Sequence, residues 1–248
     1  VTGVNYKGLV FGTALNPAVA VNAEGQSKVA LEGSGWGFNA GLIYDLNTAT
    51  RIGIAYRSRV KQKLGGTVTF SGVPAAYAAS AALTAATANG DVSLTVNTPD
   101  TVSISVSHAL SSNWNLLGDM TWTGWGVVKA LPLRRSSGAT LDTLTFNFRD
   151  TMRYSAGAHY RMSDTWTLKF GVAYDQTPVP NADSRSVRLP DNDRIWFSAG
   201  AKYRVSGSGS IDAAFAHIRA KDARISNNQN VGNVRGNIDG TYQGTVNI

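Results

Sequence analysis

The chain has 248 residues, no cysteine, a formal charge of +7, 43% hydrophobic residues and a mean hydropathy of −0.12. No run approaches the roughly 20 consecutive apolar residues of a membrane-spanning helix, and without cysteine there can be no disulfide, thiolate zinc site or thiol nucleophile. A neutral average still admits a membrane β-barrel, whose strands alternate lipid-facing apolar residues with polar lumen residues, so the pattern along the chain has to decide.

In chain order, a first strand is expected near residues 1–12, followed by Asn16-Pro17-Ala18-Val19-Ala20-Val21, which is either a greasy capture loop or a plain connector. Trp36, Phe38, Ala40, Leu42 and Tyr44 then alternate with small and polar residues. They lead through Asp45-Leu46-Asn47-Thr48 into Ile52, Ile54, Tyr56 and Val60, a hairpin at period two. Within residues 71–90, Pro74 opens an alanine-rich stretch that stops at Asn89-Gly90. This reads as a short helix covering a barrel mouth, or else as a solvated loop.

A second hairpin joins Val102, Ile104 and Val106 through Ser111-Ser112-Asn113 to Trp114, Leu116, Met120 and Trp122. From Leu144 the even positions run Phe146, Phe148, Asp150, Met152, Tyr154, Ala156, Ala158 and Tyr160. The odd positions run Asn147, Arg149, Arg153, Ser155, Gly157, His159 and Arg161, which predicts one continuous strand with a greasy and a wet face. Past Met162-Ser163-Asp164-Thr165 the alternation resumes with Trp166, Leu168, Phe170, Val172 and Tyr174. The last clear hairpin pairs Ile195, Phe197 and Tyr203 with Ile211, Ala213 and Phe215, and a final strand is expected within 232–248.

The expected fold is therefore all-β, a transmembrane antiparallel barrel of about ten strands of bilayer-crossing length. The turns inside the hairpins are short, whereas residues 71–90, 125–140, 175–192 and 221–232 form long connections, the asymmetry of outer-membrane barrels. Tyr44, Trp114, Tyr160, Trp166 and Tyr203 recur beside the short turns, where an interfacial aromatic girdle belongs. A soluble barrel is the competing reading; it would put Gly, Ser, Arg and Lys uniformly outside and would need room within for many Trp and Tyr.

Several segments resemble the FadL and toluene-channel family of outer-membrane transporters. They are Ala173-Tyr174-Asp175-Gln176-Thr177-Pro178-Val179-Pro180, Leu189-Pro190-Asp191-Asn192-Asp193-Arg194-Ile195-Trp196-Phe197, Trp36-Gly37-Phe38-Asn39-Ala40-Gly41, Asp119-Met120-Thr121-Trp122-Thr123-Gly124-Trp125 and Asp150-Thr151-Met152-Arg153-Tyr154-Ser155. The resemblance implies a barrel of about fourteen strands, a lumen closed by an N-terminal hatch, and outer loops that capture a hydrophobic ligand. By that measure residues 1–248 are expected to be a single partial barrel domain, truncated at both ends. The implied function is passive outer-membrane transport of long-chain fatty acids or similar hydrophobic compounds, by a monomer in outer-membrane lipid, without cofactor, nucleic acid or catalysis. The alternatives are an aromatic-hydrocarbon channel and a structural or adhesive barrel.

The basic residues Arg57, Arg59, Lys61 and Lys63 are expected on the wet face of one strand, and Arg149, Arg153 and Arg161 on that of another. A carboxylate in a low-dielectric lumen needs such a cation, and Arg can grip it bidentately. The ligand-binding candidates are Arg57, Arg59, Arg149 and Arg153, with Lys129, Val127, Val128 and Leu131, the last four in the stretch where the resemblance places a ligand pocket. Asp191, Asp193 and Arg194 are expected to anchor a loop at the rim. His108, His159 and His217 lie on separate strands at no metal-ligand spacing, and no Gly-x-Ser-x-Gly elbow occurs.

Overall fold

The computed structural model describes residues 4–8, 25–73, 81–187, 189–207, 209–228 and 237–248. Its strands are Val4–Gly8 (β1), Gly25–Glu32 (β2), Asn39–Asp45 (β3), Thr50–Arg57 (β4), Val60–Ser71 (β5), Gly90–Thr98 (β6), Thr101–Ala109 (β7), Trp114–Thr123 (β8) and Ala130–Arg135 (β9). They continue with Thr140–Thr145 (β10), Thr151–Arg161 (β11), Trp166–Asp175 (β12), Arg194–Arg204 (β13), Ser210–Ala220 (β14), Ala223–Asn228 (β15), Asn237–Tyr242 (β16) and Thr245–Asn247 (β17). A short helix, Ala81–Ala86 (α1), lies between β5 and β6. Residues 74–80, including Pro74, and the Asn16–Val21 segment lie outside the described residues.

Nine strands form one antiparallel sheet in the order β3, β4, β7, β8, β11, β12, β13, β14, β17. Alternation gives this wall two faces. Pairing sets Arg153 beside Thr121 and Asp175, Ser155 beside Asp119 and Ala173, and Ala173 beside Trp196, so one face is wet or small across neighbouring strands. The opposite face carries Leu42, Ile54, Ile104, Met120, Tyr154, Phe170, Val172, Phe197 and Phe215, all exposed. A soluble sheet hides such a face. An apolar band running unbroken across a wall is the lipid-facing surface of a membrane barrel, and the wet face is its lumen side.

Side chains closing the short turns repeat one device. Asn47 Oδ1 accepts from the Ala49 and Thr50 N–H groups at 2.9 and 2.8 Å, Ser111 Oγ from Asn113 and Trp114 at 3.3 and 3.1 Å, and Ser163 Oγ from Thr165 and Trp166 at 3.3 and 3.1 Å. These caps satisfy backbone donors that would otherwise be orphaned where each strand reverses. The girdle residues meet across the strands above them, Trp114 on Tyr160 and Trp166 on Tyr203, each with ring centroids 4.7 Å apart.

The expected strands are divided into more segments than the alternation suggests, because long strands are broken in two. A second, six-stranded sheet runs β1, β2, β5, β6, β9, β10, so β4 continues into β5 and β6 into β7, with Ser58-Arg59 and Pro99-Asp100 at the breaks. Proline cannot donate to a ladder, which suits Pro99 to such a boundary. At the other break Ser58 replaces the ladder: its Oγ accepts from Phe38 N–H at 2.8 Å while its own N–H donates to Phe38 O at 2.9 Å. The basic run is divided accordingly, with Arg57 in β4, Arg59 between sheets, and Lys61 and Lys63 in β5.

Two expected connections also hold strands: β9 lies within 125–140 and β15 within 221–232, where it pairs with β16 as a separate hairpin. The continuous strand expected from Leu144 to Tyr160 is interrupted between β10 and β11. There Asn147 takes a φ of 51°, a left-handed conformation that asparagine tolerates better than most residues.

Candidate ligand site

At the top of β8 the chain leaves the wall and makes a tight 3-10 turn, Trp125–Val127. Gly126 N–H donates to Asp150 Oδ1 at 2.7 Å, and a Cβ on Gly126 would lie only 2.7 Å from the same oxygen, so a larger residue there would have to push the Asp150 side chain aside. The turn delivers Val128 into an apolar cluster with Phe148 and Val179, both Val128 and Phe148 being 8% exposed and Val179 2%. Trp125, Val127 and Phe146 pack around it and remain partly exposed. Trp125 meets Phe148 edge-on at 6.0 Å, and Phe146 meets Phe148 at 5.1 Å.

The break between β10 and β11 builds the other half. Phe146 and Asn147 N–H both donate to Lys129 O, at 2.8 and 2.9 Å, and Phe148 N–H donates to Val128 O at 3.0 Å. Phe146 and Phe148, read from the sequence as lipid-facing, are thereby turned into the cluster. Alternation could not reveal this, since two aromatics spaced by one residue satisfy a strand equally well; Asn147 between them was the local signal.

Val179 arrives on the 176–193 segment, which is held by a polar lattice. Thr177 N–H donates to Asp193 at 3.0 Å, Thr177 Oγ1 to Asp191 at 2.8 Å, and Tyr174 hydroxyl to Asp193 at 2.7 Å. Lys221 pairs with Asp193 at 3.0 Å, and Arg194 with Asp175 at 3.0 Å and Asp191 at 3.5 Å. Burial alone would raise the Asp193 carboxyl, but the Thr177 N–H, the Tyr174 hydroxyl and Lys221 outweigh it and hold its pKa below the ordinary carboxylate value. The nearly buried Arg185 donates to Asp191 O at 2.9 Å and to Arg224 O, tying the segment to β15. The loop-anchoring role expected of Asp191, Asp193 and Arg194 is the geometry found.

Of the sequence-derived candidates, Val127 and Val128 are brought together in the cluster, while Leu131 lies one step away in β9, opposite Leu144 of β10. Lys129 directs its Nζ to Phe148 O at 2.9 Å, and Arg149 its Nε to Thr177 O at 3.4 Å, so both brace the cluster's backbone. Arg57 contacts Asn39 at 3.3 Å and Arg59 pairs with Asp100 at 3.1 Å. Arg153 points to the lumen side, where a cavity of about 480 Å³ is lined by Arg51, Asp119, Arg153, Ser155, Trp196 and Ser198 among others. His108 bonds to Thr50 and His217 to Asn247.

Residues 3–248 match the family described as outer membrane protein transport protein (OMPP1/FadL/TodX). The chain belongs to this family. It is 32% identical over 224 residues to the long-chain fatty acid transport protein of Escherichia coli K12, covering 86% of this chain and 50% of that one. It is 36% identical over 197 residues to the 47 kDa outer membrane protein of Pasteurella multocida, covering 77% and 45%. It thus spans about half the length of the curated relatives it matches. A Pseudomonas aeruginosa FadL homologue superposes with a TM-score of 0.86 at 26% identity, over 99% of this chain and 59% of that one. The toluene transporter TodX of P. putida shares the fold, with a TM-score of 0.57 at 19% identity over 98% and 56%. The chain is accordingly an outer-membrane protein with an all-β barrel fold, in a family of transport proteins.

Proposed function

We infer that this chain forms part of a passive outer-membrane channel for long-chain fatty acids or similar hydrophobic compounds. The observation that carries this reading is the apolar cluster of Trp125, Val127, Val128, Phe146, Phe148 and Val179 at the upper end of the wall. An alkyl chain laid on its exposed members gains about 0.8 kcal/mol per buried CH₂ and needs neither nucleotide nor ion. The name of the E. coli relative supports the acid as cargo, whereas the fold shared with the toluene transporter keeps uncharged hydrocarbons as the second candidate. The outer strands β3 and β17 are not paired with each other among the described residues. In lipid each would require a further strand beside it, because unsatisfied backbone groups there cost several kcal/mol apiece.

Binding of a radiolabelled long-chain fatty acid to the full-length protein in detergent, with toluene as competitor, tests this. Val128→Asp, which places a charge in the cluster, is expected to weaken fatty-acid binding at least about tenfold. Displacement by toluene together with poor fatty-acid binding would favour the hydrocarbon channel. Absence of binding for both would return the chain to a structural or adhesive barrel.

A further inference from the structure

We propose that the outer face of β13 and β14 binds a phosphate-bearing lipid of the outer leaflet, with Arg219 holding the phosphate and an acyl chain lying in the groove beneath it. One rung of the lipid-facing surface can be followed across the wall through Ile54, Ile104, Met120, Tyr154, Tyr174 and Ile195, apolar or aromatic throughout, before it reaches Arg219 and Thr245. The next lipid-facing rung down runs Ala156, Val172 and Phe197 and ends on His217 and Asn247. Polar side chains thus gather on the lipid side near the upper end of β14, where a membrane wall ordinarily carries apolar ones. His217 Nδ1 and Asn247 Oδ1 are bonded to each other at 2.7 Å. The exposed Arg219 guanidinium makes no ion pair or hydrogen bond among the described residues. Lys221 above it is committed to Asp193 at 3.0 Å and lies 5.5 Å from the centroid of the Tyr174 ring, so the charge left over at this corner is positive.

Below these groups the lipid face is not smooth. An open groove of about 560 Å³ runs over the small side chains of Ala158 and Ala199, among the rings of Phe170, Phe197 and Phe215, and reaches His217. The order of groups down the wall matches the order in a lipid: phosphate, ester, acyl chain. Arg219 is one residue from the upper end of β14, at the level where headgroups begin, and its planar fork can grip a phosphate bidentately. His217 and Asn247 stand two residues lower, about 7 Å down the strand, where ester oxygens would meet them, and the groove takes the hydrocarbon. A snorkelling arginine accounts for a cation at the rim, but not for the polar pair and the groove beneath it. This end of β14 lies opposite the short turn that joins it to β13, which puts the site in the outer leaflet and makes its occupant a phosphorylated lipid of that leaflet.

The test adds lipid A, or lipid A stripped of its phosphates, to the full-length protein in detergent and counts bound lipid by native mass spectrometry, for wild type, Arg219→Ala, Arg219→Lys and Ala199→Trp. Wild type should retain the phosphorylated lipid about tenfold or more better than the stripped one, and Arg219→Ala should abolish that preference, since a hydrogen bond between charged groups is the interaction removed. Arg219→Lys should restore part of it. Ala199→Trp, which fills the groove, should weaken both lipids while heat-modifiable gel mobility shows the barrel still folded. A phosphate preference that persists in Arg219→Ala would overturn the headgroup site. Retention unaffected by Ala199→Trp would overturn the acyl groove and leave an anion site alone, and a wild type that retains neither lipid would overturn the proposal outright.

Discussion

Asp193 shows how much one side chain can hold. It receives the Thr177 N–H, the Tyr174 hydroxyl and the Lys221 ammonium, and through Thr177 it fixes the segment that carries Val179 to the cluster. Because its pKa is depressed in the folded protein, the stabilisation is fully present above the ordinary carboxylate value of 3.8 and is lost as pH falls through the lower folded value. Lys221, raised by the same pairing, works with the opposite sign, and its contribution disappears only above 10.5. The anchor should therefore be intact throughout the physiological range. Amide exchange in residues 176–193 is expected to stay slow from neutral pH to about pH 4 and to accelerate below it, whereas Asp193→Asn should exchange faster at neutral pH too. An unchanged exchange profile in the variant would mean that the loop is held mainly by Arg185.

At the level of elements, the turn after β8 and the break between β10 and β11 make the cluster; the first sets Gly126 close against Asp150 Oδ1 and the second holds Asn147 in a left-handed conformation. Gly126→Ala would drive a methyl group into Asp150 Oδ1; we expect it to weaken hydrophobic-ligand binding by about tenfold with the wall still folded, as read by ligand titration beside heat-modifiable gel mobility. The wall itself was legible from residues: period two marks β3, β4, β7, β8, β12, β13 and β14, and their short turns fall where Asn47, Ser111 and Ser163 could cap them. The upper sheet was not, because β5 and β6 continue β4 and β7 beyond Ser58 and Pro99, and a strand that changes sheets keeps its alternation. The candidate site was half legible. Val127 and Val128 announced themselves by hydrophobicity in a loop, while Phe148 was disguised as a wall residue and Val179 needed the polar lattice around Thr177 before its placement made sense.

For the whole molecule the two faces of the wall should respond differently to charge. Val172→Arg, at mid-height on the lipid face, is expected to cost about 2–4 kcal/mol of folding free energy in a bilayer, whereas Ser105→Arg on the lumen face should cost little. Urea titration of folding into lipid vesicles reads both, and equal costs would contradict the assignment of faces.

The line of breaks at Ser58, Pro99 and Gly124 has a consequence of its own. Hydrocarbon does not tolerate backbone groups without partners, so irregular chain facing lipid can begin only where water returns. The strands below that line, 10 residues in β8 and β12 and 11 in β11, β13 and β14, match the length at which a tilted strand crosses a bilayer. The molecule thus carries its own depth gauge: the Trp and Tyr pairs mark one waterline and the strand breaks the other. By that gauge, the six-stranded sheet stands clear of the membrane as a rampart beyond the second waterline, and the greasy cluster lies at its foot, where a molecule crossing from water first meets hydrocarbon.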